Sequence, residues 1–279
     1  MRKASRGKHM ELKTTYGAWA CVAGAGEGLG AAFAFGLARR GFNLILIDLD
    51  PEKLSEVEAA IRRTHAVQLV ALCVDLVDRE SIQPIMAAIE SSGCRFLVYN
   101  AAYGPVRPFL QNTPDELDRY IQVNMATPMQ LAHRFAALHS GRKAGLLLIS
   151  SLAGWRGTRY VVPYAASKAF TWNLAEGLHY EREGVGLDIG LCTLGPVDTP
   201  NYRSFFPRQP LLQPKAMAPQ AVAEYALRRF GRRLFLFPGF STAFSHFLLN
   251  RVLPRSWASG LHNAVMKRLW RLNERENSK

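Results

Sequence analysis

Tyr164 and Lys168, four residues apart in the stretch YAASK, are a pair able to do proton chemistry. One helical turn separates them, so a helix places both side chains on one face. A phenol with an ordinary pKa near ~10 is a poor base, but a neighbouring ammonium favours the phenolate and lowers that value. The pair could then move a proton to or from a carbonyl oxygen near neutral pH. Tyr and Lys also meet at this spacing by chance, as a plain surface contact, so the rest of the chain has to decide.

A second cluster suits phosphate. AGAGEGLG, residues 23–30, places Gly24, Gly28 and Gly30 between an apolar run and a helical segment. Glycines at such a turn let the chain reverse tightly and let phosphate approach the amides of a helix N-terminus, where the dipole favours negative charge. Packing alone could also demand them. The acid that completes a dinucleotide arrangement stands 20 residues past Gly28: Asp48, at the end of NLILID. A carboxylate there accepts hydrogen bonds from adenosine ribose hydroxyls and repels a 2′-phosphate. Its neighbour is Leu49 rather than a cation, so Asp48 reads as a selector for NAD over NADP. The alternative is a solvated strand end.

The elements that must position these groups alternate regularly. Apolar runs at 18–24, 43–48, 67–75, 95–101, 145–151, 187–195 and 233–239 are separated by segments of helical period. Continuous apolar strands between helices are what a parallel sheet covered on both faces requires. The expectation is a doubly wound α/β Rossmann fold with a seven-stranded parallel sheet over residues 14–240. A basic tail (1–13) precedes it and a basic, amphipathic helical extension (241–279) follows. Gly41, Gly93 and Gly184 read as helix stops, and TPDEL (113–117) as a helix start with Thr as cap and Pro in the first turn.

Charge and cysteines bound the rest. The net charge of +13 is confined to the ends: residues 1–13 hold five Lys/Arg against one acid, and residues 228–279 eleven against two. A balanced body argues against a chain-wide nucleic-acid surface. Cys21, Cys73, Cys94 and Cys192 are scattered without metal spacing and read as small buried hydrophobes of a reducing compartment. With no apolar run of spanning length and no secretory pattern, a cytoplasmic protein without metal is expected.

Taken in order, these motifs resemble the short-chain dehydrogenase/reductase family. The glycine spacing is that family's, including Leu29 between Gly28 and Gly30, although Ala23 replaces the usual Thr. YNAA (99–102) resembles its NNAG element, with Asn100 and Ala101 matching and Ala102 replacing Gly. VDL (74–76) resembles the strand end that meets adenine, which assigns Asp75 and Leu76 there. The resemblance also implies a catalytic tetrad. Ser151, 13 residues before Tyr164, would polarise the substrate oxygen, and Asn124 would hold a water relaying protons to Lys168. Lys168 would also hold the nicotinamide ribose. In LGPVDTP (194–200) Leu194 replaces Pro, while Val197 would reach the nicotinamide amide and Thr199 support it. The implied activity is NAD(H)-dependent interconversion of a secondary alcohol and a ketone, and the implied assembly a homodimer or homotetramer. The alternative is a family-fold regulator or scaffold without turnover.

Segments 103–109, 155–163 and 201–212 would flank the pocket in this fold. Trp155, Tyr160, Tyr202, Phe205 and Phe206 suggest an apolar small-molecule substrate such as a steroid, an aromatic alcohol or an acyl chain, unless they only pack a lid. In the extension, Trp257, Leu261, Val265, Leu269 and Leu272 recur at helical spacing beside Lys267, Arg271 and Arg275. Such a helix either packs its stripe on the body or makes peripheral membrane contact.

Overall fold

The computed structural model describes residues 12–181, 186–205, 215–248, 252 and 254–277, the side chains of 246 and 271–277 excepted. Gly184, Phe206, most of the N-terminal tail and the side chains of Arg271, Leu272 and Arg275 lie outside the described residues. The strands are β1 (Trp19–Ala23), β2 (Asn43–Asp48), β3 (Leu69–Cys73), β4 (Phe96–Tyr99), β5 (Ala144–Ser151), β6 (Leu187–Leu194) and β7 (Phe235–Leu236). They form one seven-stranded sheet in the order β3-β2-β1-β4-β5-β6-β7, every pair parallel. The order reverses between β1 and β4, which opens a crevice at the carboxyl ends of those strands.

Helices cover both faces: α1 (Gly28–Ala38), α2 (Pro51–Thr64), α3 (Ile82–Ser92), α4 (Pro114–Ile121), α5 (Thr127–Leu138), α6 (Val162–Glu181), α7 (Pro200–Phe205) and α8 (Pro219–Arg229). Two more follow β7, α9 (Phe240–Phe247) and α10 (Arg255–Asn277). Central strands read as continuous apolar runs because both their faces are buried: β4 and the first seven residues of β5 and β6 are enclosed. Two hydrophobic clusters result, one on each side of the sheet.

The local signals carry through. Gly93 closes α3 with φ +65°, and Thr113 and Glu116 form a reciprocal capping box at the start of α4. The cysteine expectation needs one correction. Cys21, Cys94 and Cys192 are buried and free, whereas Cys73 is exposed. It ends β3, the edge strand, in which Val70 and Ala71 are exposed as well. Among the described residues there is no metal-ligating cluster, and no helix is long and apolar enough to cross a membrane.

Candidate active site

The turn after β1 is built around absent side chains. A Cβ on Gly30 would lie 1.6 Å from the Gly24 carbonyl oxygen, so α1 can only pack this close to the loop with glycine there. Gly24 has φ +76°, and a Cβ on it would meet the Ala101 backbone at 2.7 Å. From β4, the Asn100 amide donates to the Gly24 carbonyl at 3.0 Å and clamps the loop. Asp48 turns back toward the same loop. Its Oδ2 accepts from the Gly26 amide at 2.7 Å and its Oδ1 from the Asp50 amide at 3.1 Å. Gly26, which the motif spacing did not single out, thus orients this carboxylate.

A cavity of about 950 Å³ begins at this loop. Gly24, Gly28 and Leu29 line it, as do Asp48 and Leu49. Asp75, Leu76, Asn100 and Ala101 line it from the next strand ends. Gly30 lies beneath the loop instead, against the Gly24 carbonyl. Two charged residues here had no signal in the glycine pattern. Lys53 and Glu27 both line the cavity and pair with each other at 3.1 Å, with Asp50 3.5 Å from the same ammonium.

At the other end stand Ser151, Tyr164 and Lys168, all lining the cavity. Ser151 is the last residue of β5, and Tyr164 and Lys168 share one face of α6. The Ser151 hydroxyl accepts from the Ala153 amide at 3.2 Å and stands near enough to the Tyr164 phenol to favour its ionised form. Lys168 is buried, 5.5 Å from the Tyr164 ring centre, and donates to the Ile149 carbonyl at 2.9 Å. Burial decides both ionisations. It pushes the Tyr164 phenol up to about 12, against the lowering influence of Ser151, and brings the Lys168 ammonium down to about 8. The expectation that the phenol sits below its ordinary value is corrected: removal from water is the largest influence on it and raises it.

Asn124 is placed one layer back. It is buried in a turn of wider, π-type helix, Gln122–Ala126, that interrupts α4 and α5. Its amide donates to the Tyr103 carbonyl at 2.7 Å and to the Ser167 hydroxyl at 3.0 Å, and accepts from the Tyr103 amide at 2.8 Å. Asn124 thereby fixes the loop after β4, and that loop carries Gly104, where a Cβ would collide with the Tyr164 ring at 2.7 Å. Val197 and Thr199 line the cavity after β6. Leu194 ends β6 in register with Ser151, and in the loop that follows the Asp198 amide donates to the Met217 carbonyl at 2.9 Å.

The remaining wall was not foreseen. Leu261, His262, Val265 and Met266 of α10 line the cavity, as do Trp155, Tyr202 and Phe205. The loop after β5 grips α10 at several points. Arg156 donates to the Arg255 carbonyl at 2.8 Å, and Asn263 accepts from the Arg159 amide at 2.8 Å while donating to the Gly157 carbonyl at 2.9 Å. His262 meets the Thr158 hydroxyl at 3.3 Å, and burial together with Arg156 holds its imidazole below the ordinary range. Tyr160 is corrected from pocket wall to anchor. It adopts φ +68°, rare for a non-glycine residue, and stacks on Trp270 at 4.5 Å.

A cavity joining the Asp48 carboxylate to Ser151, Tyr164 and buried Lys168 is suited to holding a dinucleotide and handing a proton to an oxygen beside it. The comparisons agree with that geometry. Residues 18–210 match the family model for short chain dehydrogenases. A 7beta-hydroxysteroid dehydrogenase from Collinsella aerofaciens is 28% identical over 238 residues, covering 82% of this chain and 89% of that protein. An inactive hydroxysteroid dehydrogenase-like protein 1 from Homo sapiens is 32% identical over 187 residues, covering 66% of this chain and 57% of its own length. A solved 7beta-hydroxysteroid dehydrogenase structure superposes with a TM-score of 0.80 at 25% identity, over 90% of this chain and 98% of that one. Dinucleotides vary among such structures: one from Sphingobium yanoikuyae, 24% identical, is in complex with NADPH, and one from Burkholderia phymatum, 22% identical, with NAD.

Proposed function

The chain belongs to the short-chain dehydrogenase family of oxidoreductases, and on that footing we propose that it interconverts a secondary alcohol and a ketone with NAD(H). What carries this is the shared cavity, which Ser151, Tyr164 and buried Lys168 line together and which also takes in Asp48.

The residues present fit a dinucleotide. Gly24, Gly28 and Leu29 line the cavity beside the Asp48 carboxylate, whose oxygens would accept from ribose hydroxyls. Such a cofactor, when bound, supplies or accepts the hydride. In the reducing direction Tyr164, neutral across the physiological range because burial holds its proton, donates that proton to the carbonyl oxygen. Ser151 donates a hydrogen bond to the same oxygen as charge gathers on it. Lys168 orients the ribose and, turned from the Ile149 carbonyl toward Tyr164, favours the phenolate left behind. Asn124 holds the loop that sets the Tyr164 ring and so acts through position.

The preference for NAD rests on charge. Asp48 and Glu27 line the adenosine end, and the one ammonium there among the described residues, Lys53, is shared between Glu27 and Asp50. A 2′-phosphate would meet carboxylates without a cation to spare. The substrate is proposed to be apolar and of steroid size, since Val161, Tyr202, Phe205, Val265 and Met266 wall the opposite end and relatives are named hydroxysteroid dehydrogenases. A homodimer or homotetramer in the cytoplasm accords with this reading.

The test is a panel of ketosteroids, aromatic ketones and acyl ketones with NADH and with NADPH, followed at the reduced-nicotinamide absorbance band. Turnover with NADH above NADPH supports the proposal. One relative carries the name inactive, so the alternative is a dinucleotide-binding regulator. Dinucleotide binding without turnover of any ketone or alcohol would favour it.

A further inference from the structure

The C-terminal elements leave rings in solvent beside the cavity mouth. On α9, Phe240, Phe244 and Phe247 stand at i, i+4 and i+7 and are all exposed, the first at 84%, and Phe240 stacks on Phe244 at 5.8 Å. On α10, Trp257 is 74% exposed and Leu261 58%. Helical geometry puts Trp257, Leu261, Ala264 and Arg268 on one side of α10, away from Ala258, Met266 and Leu269, which are buried against the body. The apolar stripe read from the sequence is therefore split: Leu269 docks, whereas Trp257 and Leu261 face out.

Two features say what this face meets. It is continuous with the cavity, because Leu261 is both exposed and part of the lining, and Ser245 of α9 lines it next to Phe244. It is also cationic. Lys267 and Arg268 are exposed on the same helix as Trp257, in a segment (228–279) with eleven Lys/Arg against two Glu. Exposed rings on a segment rich in cations fit the boundary of an anionic bilayer, with rings among acyl chains and cations at phosphate. A second copy fits less well, since a two-fold contact would set this cationic face against itself.

We propose that α9 and the outer side of α10 dock on an anionic lipid surface, so that the substrate passes from the bilayer past Leu261 into the cavity. The proposal rests on the apolar-substrate reading above, and its test needs neither substrate nor turnover. Full-length protein is sedimented with phosphatidylcholine vesicles, with and without phosphatidylserine, at low and high salt. The expected result is binding to the phosphatidylserine vesicles that weakens with salt. Removing the rings in the double variant Phe240→Ser/Trp257→Ser should lower the partition coefficient roughly tenfold or more. Lys267→Gln and Arg268→Gln should each lower it roughly fivefold. Unchanged circular dichroism and dinucleotide affinity identify the variants as folded. The proposal is overturned if the parent protein stays in the supernatant with both vesicle types, or if the ring variant binds like the parent. It is also overturned if that substitution lowers the mass seen by sedimentation velocity and leaves vesicle binding unchanged, since the face would then be a subunit interface. Failure here leaves the oxidoreductase reading standing, and a chain without turnover that still binds vesicles separates the two the other way.

Discussion

The two ends of the cavity are constructed differently. The dinucleotide end is made by residues 23–30 and Asp48, with backbone amides and absent side chains setting the shape. The substrate end is closed by segments about a hundred positions apart, 155–161 and 255–270, which meet through Arg156, Asn263, His262 and the Tyr160–Trp270 stack. Backbone geometry of the first kind tolerates almost no change, because one Cβ at Gly30 would collide with a carbonyl. Side-chain closure of the second kind can be altered piece by piece.

That contrast is open to direct test. The largest effect belongs to the chemistry between the ends. Tyr164→Phe should lower turnover roughly 100- to 10,000-fold, while dinucleotide affinity, read by fluorescence titration, stays within about twofold. Retained turnover would point to another proton donor and dissolve the proposed assignment.

Next comes stability. Lys168→Met should stabilise the ligand-free protein by about 2 kcal/mol in urea unfolding at pH 7. Holding an ammonium where its pKa falls to about 8 costs roughly 3 kcal/mol, and leaving the Ile149 carbonyl unpaired returns about 1 of that. The sign of the pH dependence follows from the lowered pKa. Between about pH 8 and the unfolded value near 10.5, the unfolded chain binds more protons, so the parent's stability rises with pH and the gap to the variant closes. A gap independent of pH would mean that folding does not shift the lysine's pKa.

Two smaller effects compare the ends themselves. Asp48→Ala should narrow the preference for NAD(H) over NADP(H) by roughly tenfold, the loss of a carboxylate facing the 2′-position. Parent protein that binds NADP(H) as tightly as NAD(H) would sink that reading. Asn263→Ala removes two bonds that hold α10 to the loop after β5 and should raise the substrate KM roughly fivefold, with dinucleotide affinity unchanged. Equal loss at both ends would show that they are coupled.

Most of the sheet was legible because parallel strands buried on both faces must be apolar throughout. The expected run at 43–48 is β2 to the residue, and 145–151 falls within β5. The loop at Gly24, Gly28 and Gly30 was legible for a related reason: its function depends on residues that lack a side chain, and spacing records that directly. Asn124 shows a partial reading, since its position was found but its partners, Tyr103 and Ser167, belong to segments that only the fold brings together.

What the sequence by itself determined is the periodic part: the order of strands and helices, the turn after β1, the acid at the end of β2, and Tyr164 and Lys168 on one helical face. Each is a local pattern enforced by backbone geometry or continuous burial. The tertiary structure decided how far burial shifts those two ionisations, and which side of α10 faces the cavity. Helical period yields an apolar stripe without naming its partner; docking on the loop that Tyr160 turns at φ +68° buries Met266 and Leu269 and leaves Trp257 outside. Desolvation and long-range packing depend on everything that surrounds a group, and no short stretch of chain contains that information.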